Sequence, residues 1–171
     1  MRDRIPLEVV SSVLAATSVL LALPPLNLPP WALFIGWAGT MASGGPKKEV
    51  MTKIWKTMPI GSFTALLIVL VKDDWLGPML PGHWPIAGEM ATIFVFNCGM
   101  MLLGRTKWSL FVPGMFLGFA SFFATYYGGW GPVTHNVWAA FIAVVIMNAL
   151  GPVYAWLNAK LAFPVAEQQE R

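Results

Sequence analysis

Two long stretches without Asp, Glu, Lys or Arg constrain this sequence more than any other feature. They run from Val9 to Pro46 and from Trp108 to Ala159. A chain of 18.7 kDa is too small to hide stretches of this length in its interior. The composition agrees, since 57% of the residues are hydrophobic and 11% are charged, against roughly half and a quarter in soluble domains. The sequence therefore predicts an integral membrane protein and excludes a soluble enzyme.

Apolar windows of about 20 residues, the length of helix that crosses a bilayer core, predict an all-α polytopic protein with six transmembrane helices. The second segment opens with Pro29-Pro30 and closes with Gly44-Gly45-Pro46, so it either spans fully or forms a short broken helix. The six predicted segments are 7–24, 29–45, 54–71, 86–104, 109–127 and 136–157.

Basic residues predict how the helices are oriented. With six helices, ten of the eleven Lys and Arg residues fall on one side of the membrane, and only Lys72 falls on the other. Cytoplasmic loops carry such an excess. Both termini are therefore predicted to be cytoplasmic, with segments 72–85 and 128–135 outside. Because the basic residues act as topology signals, no nucleic-acid partner is predicted.

A short internal similarity predicts a repeat. The string from Phe34 to Ala38 in the second segment is similar to the string from Phe116 to Ala120 in the fifth, 82 residues later. Each half would hold three helices, so the second copy would enter the membrane upside down. The prediction is one transmembrane domain over 1–171, with inverted repeats at about 7–71 and 86–157 and a cytoplasmic tail at 158–171. A chance similarity in a sequence rich in Phe, Gly and Ala is the alternative.

Longer strings around these copies suggest a family. The fifth segment carries Ser-Leu-Phe-Val-Pro-Gly-Met-Phe-Leu-Gly over 109–118, and the second carries Trp-Ala-Leu-Phe-Ile-Gly over 31–36, ending at Gly44-Gly45. These strings resemble the bacterial inner-membrane family catalogued as domain of unknown function 1097. The resemblance runs from the first helix through the sixth. It implies a polytopic protein of the bacterial inner membrane and implies no activity. The sequence departs from the family pattern at Pro46-Lys47-Lys48 and in a longer loop between the third and fourth helices.

The sequence contains little that carries catalytic chemistry. Cys98 is the only cysteine, and there are two histidines, so a disulfide within the chain is excluded and a metal site is not expected. No nucleophile–base pair, phosphate-binding loop or dinucleotide motif occurs. We therefore expect no catalytic residue, no cofactor and no enzyme activity. No ionisable residue lies deep in a predicted helix, which argues against a proton- or sodium-coupled pump.

Small, polar and aromatic residues in the predicted helices form a candidate solute path. The small residues also fit close helix packing, which is the commoner role of such residues, and Asn97 and Asn148 also fit interhelical hydrogen bonds. Trp37 and Phe119 occupy equivalent repeat positions, where their rings either set a pore width or simply pack. Glu89 shares a helix face with Asn97 and is either an outer entry or a solvated helix end. The candidate path residues are Gly36, Trp37, Thr40, Asn97, Gly118, Phe119, Ser121 and Asn148.

Two classes of function fit these features. The first is a small homo-oligomeric channel or facilitator in the lipid bilayer, passing a small uncharged polar solute such as urea, a short amide or a weak acid in its neutral form. Fold-level analogy contributes to this interpretation. The alternative is a non-transporting accessory subunit that docks on a larger membrane complex.

Overall fold

The computed structural model describes residues 5–76, 79, 85–106 and 110–162, and the regular secondary structure of these segments is entirely helical. This confirms the predicted all-α class for the described part of the chain. A 3-10 helix, Ser18–Ala22, extends the first α-helix, and a π-helical turn, Val71–Leu76, extends the third. Six α-helices have their bounds within the described ranges, namely α1 (Leu7–Thr17), α2 (Pro30–Ala42), α3 (Lys48–Leu70), α4 (Pro85–Leu103), α5 (Val112–Tyr127) and α6 (Val137–Ala162).

The observed helices differ from the predicted segments mainly at their ends. α3 begins at Lys48 rather than at residue 54, because residues 48–53 include two lysines and a glutamate that an apolar window excludes although lysine and glutamate are good helix formers. α6 continues to Ala162, so the start of the predicted tail is helical. The rest of that tail, 163–171, and residues 77–78 and 80–84 of the predicted outer loop lie outside the described residues.

The second and fifth helices are short. α2 has 13 residues and α5 has 16, which gives lengths of about 20 and 24 Å at 1.5 Å per residue. A bilayer core is about 30 Å thick. Among the described residues, three helical segments are long and apolar enough to cross a membrane, namely Lys48–Leu76, Ile86–Leu103 and Val137–Ala162.

Contacts between the first and last helices bring the two ends of the described chain to one face of the bundle. The Ser11 hydroxyl donates to the Asn158 side-chain oxygen at 3.2 Å, and Thr17 Oγ1 lies 3.2 Å from the Tyr154 hydroxyl. As residue numbers rise in α1, those of its partners in α6 fall, so these helices are antiparallel. The beginning of α1 and the end of α6 therefore lie at the same face.

Other contacts define the opposite face. The Gly131 amide donates to the Asn27 carbonyl at 2.9 Å, which joins the α1–α2 connection to the α5–α6 connection. Lys72 donates to the Tyr127 hydroxyl at 3.0 Å, which adds the end of α3 to the same face. Lys47 follows α2 and so lies at the first face. The helices thus alternate in direction and separate Lys72 from Lys47, as the six-helix prediction requires, whereas the cytoplasmic side stays a prediction.

The core lies between α2, α3, α5 and α6. Side chains with 0% exposure come from each of these helices, including Leu33, Leu66, Phe122 and Met147. α1 packs on the outside of α6, and α4 packs on the outside of α3. α4 exposes most of its apolar side chains, with Phe94 at 73% exposure. The four inner helices therefore hold the positions at which a buried site can form.

Candidate functional site

The backbones of α3 and α5 touch at two glycines, which we call the α3–α5 contact. A Cβ added to Gly61 would overlap the Met115 carbonyl oxygen, and one added to Gly118 would overlap the Met58 carbonyl oxygen. Ser62 Oγ donates to the Gly118 carbonyl oxygen at 2.9 Å. Glycine allows such an approach and places its Cα–H against the facing carbonyl. This contact therefore depends on both glycines.

The backbones of α2 and α6 touch in the same way, in the α2–α6 contact. A Cβ added to Gly36 would lie 2.5 Å from the Asn148 carbonyl oxygen and 3.2 Å from Gly151 Cα. One added to Gly151 would overlap the backbone of Gly36 and Trp37. Asn148 and Gly151 lie one turn apart in α6, as Met58 and Gly61 do in α3.

The two contacts use corresponding positions of the two halves. Gly36 and Gly118 are 82 residues apart, which is the offset of the sequence similarity, whereas Gly61 and Gly151 are 90 residues apart. In each contact, the glycine of the short helix faces the carbonyl three residues before the glycine of the long helix. The α1–α6 packing has its counterpart in the packing of α4 on α3. In each half, the short helix therefore packs its glycine on the long helix of the other half.

Asn148 has a buried side-chain amide without a hydrogen-bond partner among the described residues and a main-chain carbonyl without its helical donor. It is the twelfth of the 26 residues of α6 and is 2% exposed. Within the described part of the chain, neither its Nδ2 nor its Oδ1 has a hydrogen-bond partner. Its main-chain carbonyl also lacks the usual helical donor, because Pro152 stands four residues later and has no N–H. A buried unpaired amide costs about 1–3 kcal/mol in proteins, so a ligand that pairs with Asn148 recovers that energy.

A cleft between α3 and α6, the α3–α6 cleft, has Asn148 among its lining residues. It has room for about one water molecule. Trp55 Nε1 donates to the Ala149 carbonyl oxygen at 2.8 Å, so the indole bridges the two helices beside the cleft. No residue that lines it carries a charge, so the cleft suits a neutral molecule. The lining residues are Ile54, Trp55, Met58, Pro59, Val145, Asn148 and Ala149.

The polar residues predicted in α2 and α5 direct their hydroxyls into their own helices. Thr40 Oγ1 donates to the Gly36 carbonyl at 2.8 Å, and Ser121 Oγ donates to the Leu117 carbonyl at 2.8 Å. α2 and α5 do touch each other, since the Leu117 side chain occupies the space beside Gly39. The interface between α2 and α5 is therefore filled by an apolar side chain, and its hydroxyl donors are already used.

The two predicted aromatic residues pack in different surroundings. Trp37 is 9% exposed and lies against Tyr154 of α6, with ring centroids 5.9 Å apart. Phe119 lies against Phe123 of its own helix, with centroids 4.8 Å apart. Each ring thus packs next to the glycine contact of its own helix.

The predicted residues of α4 lie apart from Asn148. α4 packs on α3 and on the π-helical turn. Asn97 is partly exposed, and its buried Oδ1 has no partner among the residues with described positions. Glu89 is partly exposed near the start of α4. The structure therefore brings Gly36 and Asn148 together and leaves Asn97 and Glu89 in a separate region.

Several residues of the site were not predicted from the sequence. A signal for them is present, because the third and sixth helices each hold an internal proline within two residues of a glycine, and helices broken by Gly or Pro point to sites in repeat-built transporters. The residues concerned are Trp55, Pro59, Gly61, Ser62, Gly151 and Pro152.

The fold defines a class, an all-helical protein in its described part, with three segments able to cross a membrane. Within that class, the chain belongs to the family described as "Protein of unknown function (DUF1097)", whose model matches residues 9–163. This match confirms the resemblance predicted from the second and fifth segments. No curated protein matches the chain, and no solved structure matches it.

Proposed function

We propose that this protein is a bacterial inner-membrane channel or facilitator for a small uncharged polar solute, and that the solute contacts Asn148. The observation that carries the proposal is the buried amide of Asn148, which lacks a partner among the described residues and lies near the middle of a helix long enough to cross a membrane. A polar solute that pairs with this amide regains part of the hydration it loses on entering the protein. The uncharged lining of the α3–α6 cleft favours a neutral solute.

The proposal includes six membrane-inserted helices in two inverted repeats, α1–α3 and α4–α6. The matched contacts of Gly36 with α6 and of Gly118 with α3 support it, since exchanging the repeats converts one contact into the other. Binding sites in repeat-built transporters lie near the midplane between the repeats, where helices are interrupted. The α3–α6 cleft lies between the two halves, and each of its helices contains a proline, Pro59 or Pro152, that removes one backbone hydrogen bond. We therefore place the solute at this cleft, beside the two close-packed contacts.

The same proposal assigns orientation and assembly. The face that holds Lys47 and Lys160 is cytoplasmic, in accordance with the excess of basic residues on that side. Both termini are then cytoplasmic. The protein forms a homo-oligomer in the bilayer, and the exposed apolar side chains of α4 face lipid or a neighbouring copy.

Solute flux into proteoliposomes tests this function. We expect purified protein to carry urea or another small neutral solute well above the rate of empty vesicles in stopped-flow light scattering. Asn148→Leu, which keeps the side-chain size and removes the amide, should lower flux at least tenfold. Asn158→Leu is the matched control, because Asn158 is a buried asparagine of the same helix that already has a partner in Ser11. A wild-type protein that moves no neutral solute, or a folded Asn148→Leu variant that conducts like wild type, would contradict the proposal.

The exposed apolar surface of α4 favours a second candidate, the accessory subunit. Ile86, Met90 and Phe94 are each more than 60% exposed, and such a face suits docking on another membrane protein. A stoichiometric larger partner that co-purifies in mild detergent, together with absence of flux, would support this alternative.

A further inference from the structure

The outward side of the packing between α3 and α6 forms a groove that begins at the hydrogen bond from Trp55 to Ala149. Both residues are exposed, Trp55 at 41%. In α3, Lys48 lies seven residues before Trp55, two turns away on the same helix face. In α6, Trp156 lies seven residues after Ala149, also two turns away on the same face. Because α3 and α6 run in opposite directions, Lys48 and Trp156 lie on the same side of the hydrogen bond, each about 10 Å from it along the helix axis.

Two lysine side chains lie at the end of this groove. Lys160 is exposed, and its Nζ lies 4.7 Å from the ring centroid of Trp156, which is one turn back along α6. The Lys160 ammonium is therefore at about the level of Lys48, which is exposed on the facing helix. Within the described segments, the only ion pair joins Lys72 to Asp73, so no carboxylate described there neutralises either ammonium. We call this surface the basic groove and define it by Lys48, Trp55, Ala149, Trp156 and Lys160.

The acidic residues described at this end of the bundle lie away from the basic groove. Glu49 directly follows Lys48, so it projects about 100° round α3 from that lysine. Glu8 belongs to α1, which packs on α6 at Asn158 through the Ser11 hydrogen bond. Asn158 precedes Lys160 by two residues, which places it about 200° round α6, on the opposite side of the helix. The described charges of the basic groove are therefore positive.

We propose that the basic groove binds an anionic phospholipid of the cytoplasmic leaflet, with the lipid phosphate between the ammonium groups of Lys48 and Lys160. Basic pockets between transmembrane helices on the cytoplasmic side suit such headgroups, and lysine ammonium groups donate charge-assisted hydrogen bonds to phosphate oxygens. The rest of the groove, from Trp156 to Ala149 and Trp55, is apolar and exposed, so an acyl chain covers it. A zwitterionic phospholipid carries its own cation beside the phosphate and gains less from two lysines. This binding requires the cytoplasmic orientation proposed above and does not require solute transport.

Native mass spectrometry of the purified full chain in mild detergent tests this binding. Dioleoylphosphatidylglycerol and dioleoylphosphatidylcholine, which share their acyl chains, would be added separately and the bound lipid counted. We expect the anionic lipid to be retained at least about fivefold more than the zwitterionic one, since one lysine near an anionic membrane surface contributes about that factor. Lys48→Gln combined with Lys160→Gln should abolish the preference. The matched control is Lys53→Gln combined with Arg105→Gln, because both residues are exposed at the same end of the bundle and lie outside the basic groove. This control removes the same charge and should keep the preference.

Three results would overturn the lipid site. The first is equal retention of the two lipids by wild-type protein, which needs no variant to fold. The second is an equal loss of preference in the two double variants, which would mean that the overall basic charge of this end attracts the lipid. The third is displacement of the anionic lipid by an equal concentration of glycerol 3-phosphate, which carries the charge without acyl chains and would identify a soluble anion as the ligand. Flux is not part of this measurement, so lipid binding and solute transport are accepted or rejected separately.

Discussion

The α2–α6 and α3–α5 contacts share their packing and differ in their polar groups. In both, a glycine on a short helix lies against a carbonyl of a long helix. At the α3–α5 contact, Ser62 donates to the Gly118 carbonyl. At the α2–α6 contact, the neighbouring Asn148 amide has no partner among the described residues. The shared geometry is what close packing of the halves requires, so the unpaired amide that only one contact holds is the better indicator of function.

The two contacts also differ in where a proline of the long helix leaves a main-chain carbonyl without its helical donor. Pro152 directly follows Gly151, so the carbonyl that it leaves without a helical donor is that of Asn148, which faces Gly36. Pro59 precedes Gly61, so the carbonyl that it leaves is that of Trp55, one turn away from the contact. The two prolines thus fall at different places relative to the glycines, and Pro59 lines the α3–α6 cleft whereas Pro152 is not among its lining residues.

The largest expected effect is on the α3–α5 contact. Gly61→Ala or Gly118→Ala would place a Cβ on a backbone carbonyl that cannot move without shifting a helix. We expect each to lower the free energy of unfolding by about 3 kcal/mol, the upper part of the range for overpacking. Chemical unfolding in detergent, followed by circular dichroism, would measure the loss.

Gly99→Ala is the matched control for these variants. Gly99 also lies within a helix, but nothing lies within 4 Å of an added Cβ. Replacing a helical glycine by alanine at an open position stabilises by roughly 0.5–1 kcal/mol. If Gly118→Ala were as stable as Gly99→Ala, α3 and α5 would not be in backbone contact.

A smaller effect is expected at the α2–α6 contact. Gly36→Ala should cost about 1–3 kcal/mol, less than Gly118→Ala, because its Cβ, 2.5 Å from the Asn148 carbonyl oxygen, would overlap that carbonyl less deeply. Gly36→Ala combined with Gly151→Ala should be non-additive by more than about 0.5 kcal/mol, since these residues touch. Gly36→Ala combined with Gly118→Ala should be additive, since they lie in different contacts. Unfolding of the single and double variants checks both statements, and the reverse pattern would mean that Gly36 packs on Gly118.

The helices were largely predictable from the sequence, and their pairing was not. Apolar windows separated by charged or Gly/Pro-rich residues marked all six segments, and the similarity of Gly36 to Gly118 marked corresponding places in the halves. A glycine in a sequence shows that another helix backbone is able to pack closely against it. Which helix does so depends on how the helices of the whole bundle pack. The carbonyls of Asn148 and Met58, which face these glycines, carry no pattern that reveals such a pairing.

The candidate site was predicted in part, for a similar reason. Asn148 stands out because an amide within an apolar segment needs a partner. Trp55 lies near the Lys-rich start of a predicted segment, where tryptophan is typical of the membrane interface, so its bridge to Ala149 has no sequence signal. The hydroxyls of Thr40 and Ser121 bond within their own helices, a choice that depends on rotamers and not on spacing.

Removing the polar group of Ser62 at the α3–α5 contact should lower the free energy of unfolding, whereas removing that of Asn148 at the α2–α6 contact should not. Ser62→Ala should cost about 1 kcal/mol, because it removes the hydrogen bond to Gly118. Asn148→Leu should leave stability unchanged or raise it by about 1 kcal/mol, because it replaces a buried unpaired amide with an apolar group of similar size. Unfolding in detergent would compare the two variants. A loss on Asn148→Leu larger than that on Ser62→Ala would mean that Asn148 serves the fold and is not held for a solute.

The smallest expected effect concerns the far end of the α3–α5 contact. Lys72 donates to the Tyr127 hydroxyl at 3.0 Å, which joins the end of α3 to α5 at the bundle surface. The Lys72 ammonium also lies 3.4 Å from a carboxylate oxygen of the neighbouring Asp73. Asp73 is 46% exposed in its side chain, and solvent-exposed ion pairs contribute only about 0–1 kcal/mol. Lys72→Met should therefore lower the free energy of unfolding by less than about 1 kcal/mol, and the difference from wild type should shrink in high salt, where such pairs are screened. Unfolding at low and high ionic strength would measure both. A loss approaching that of Gly118→Ala would show that the polar end, rather than the glycine contact, holds α5 on α3, and the two contacts would then no longer be equivalent in how they are stabilised.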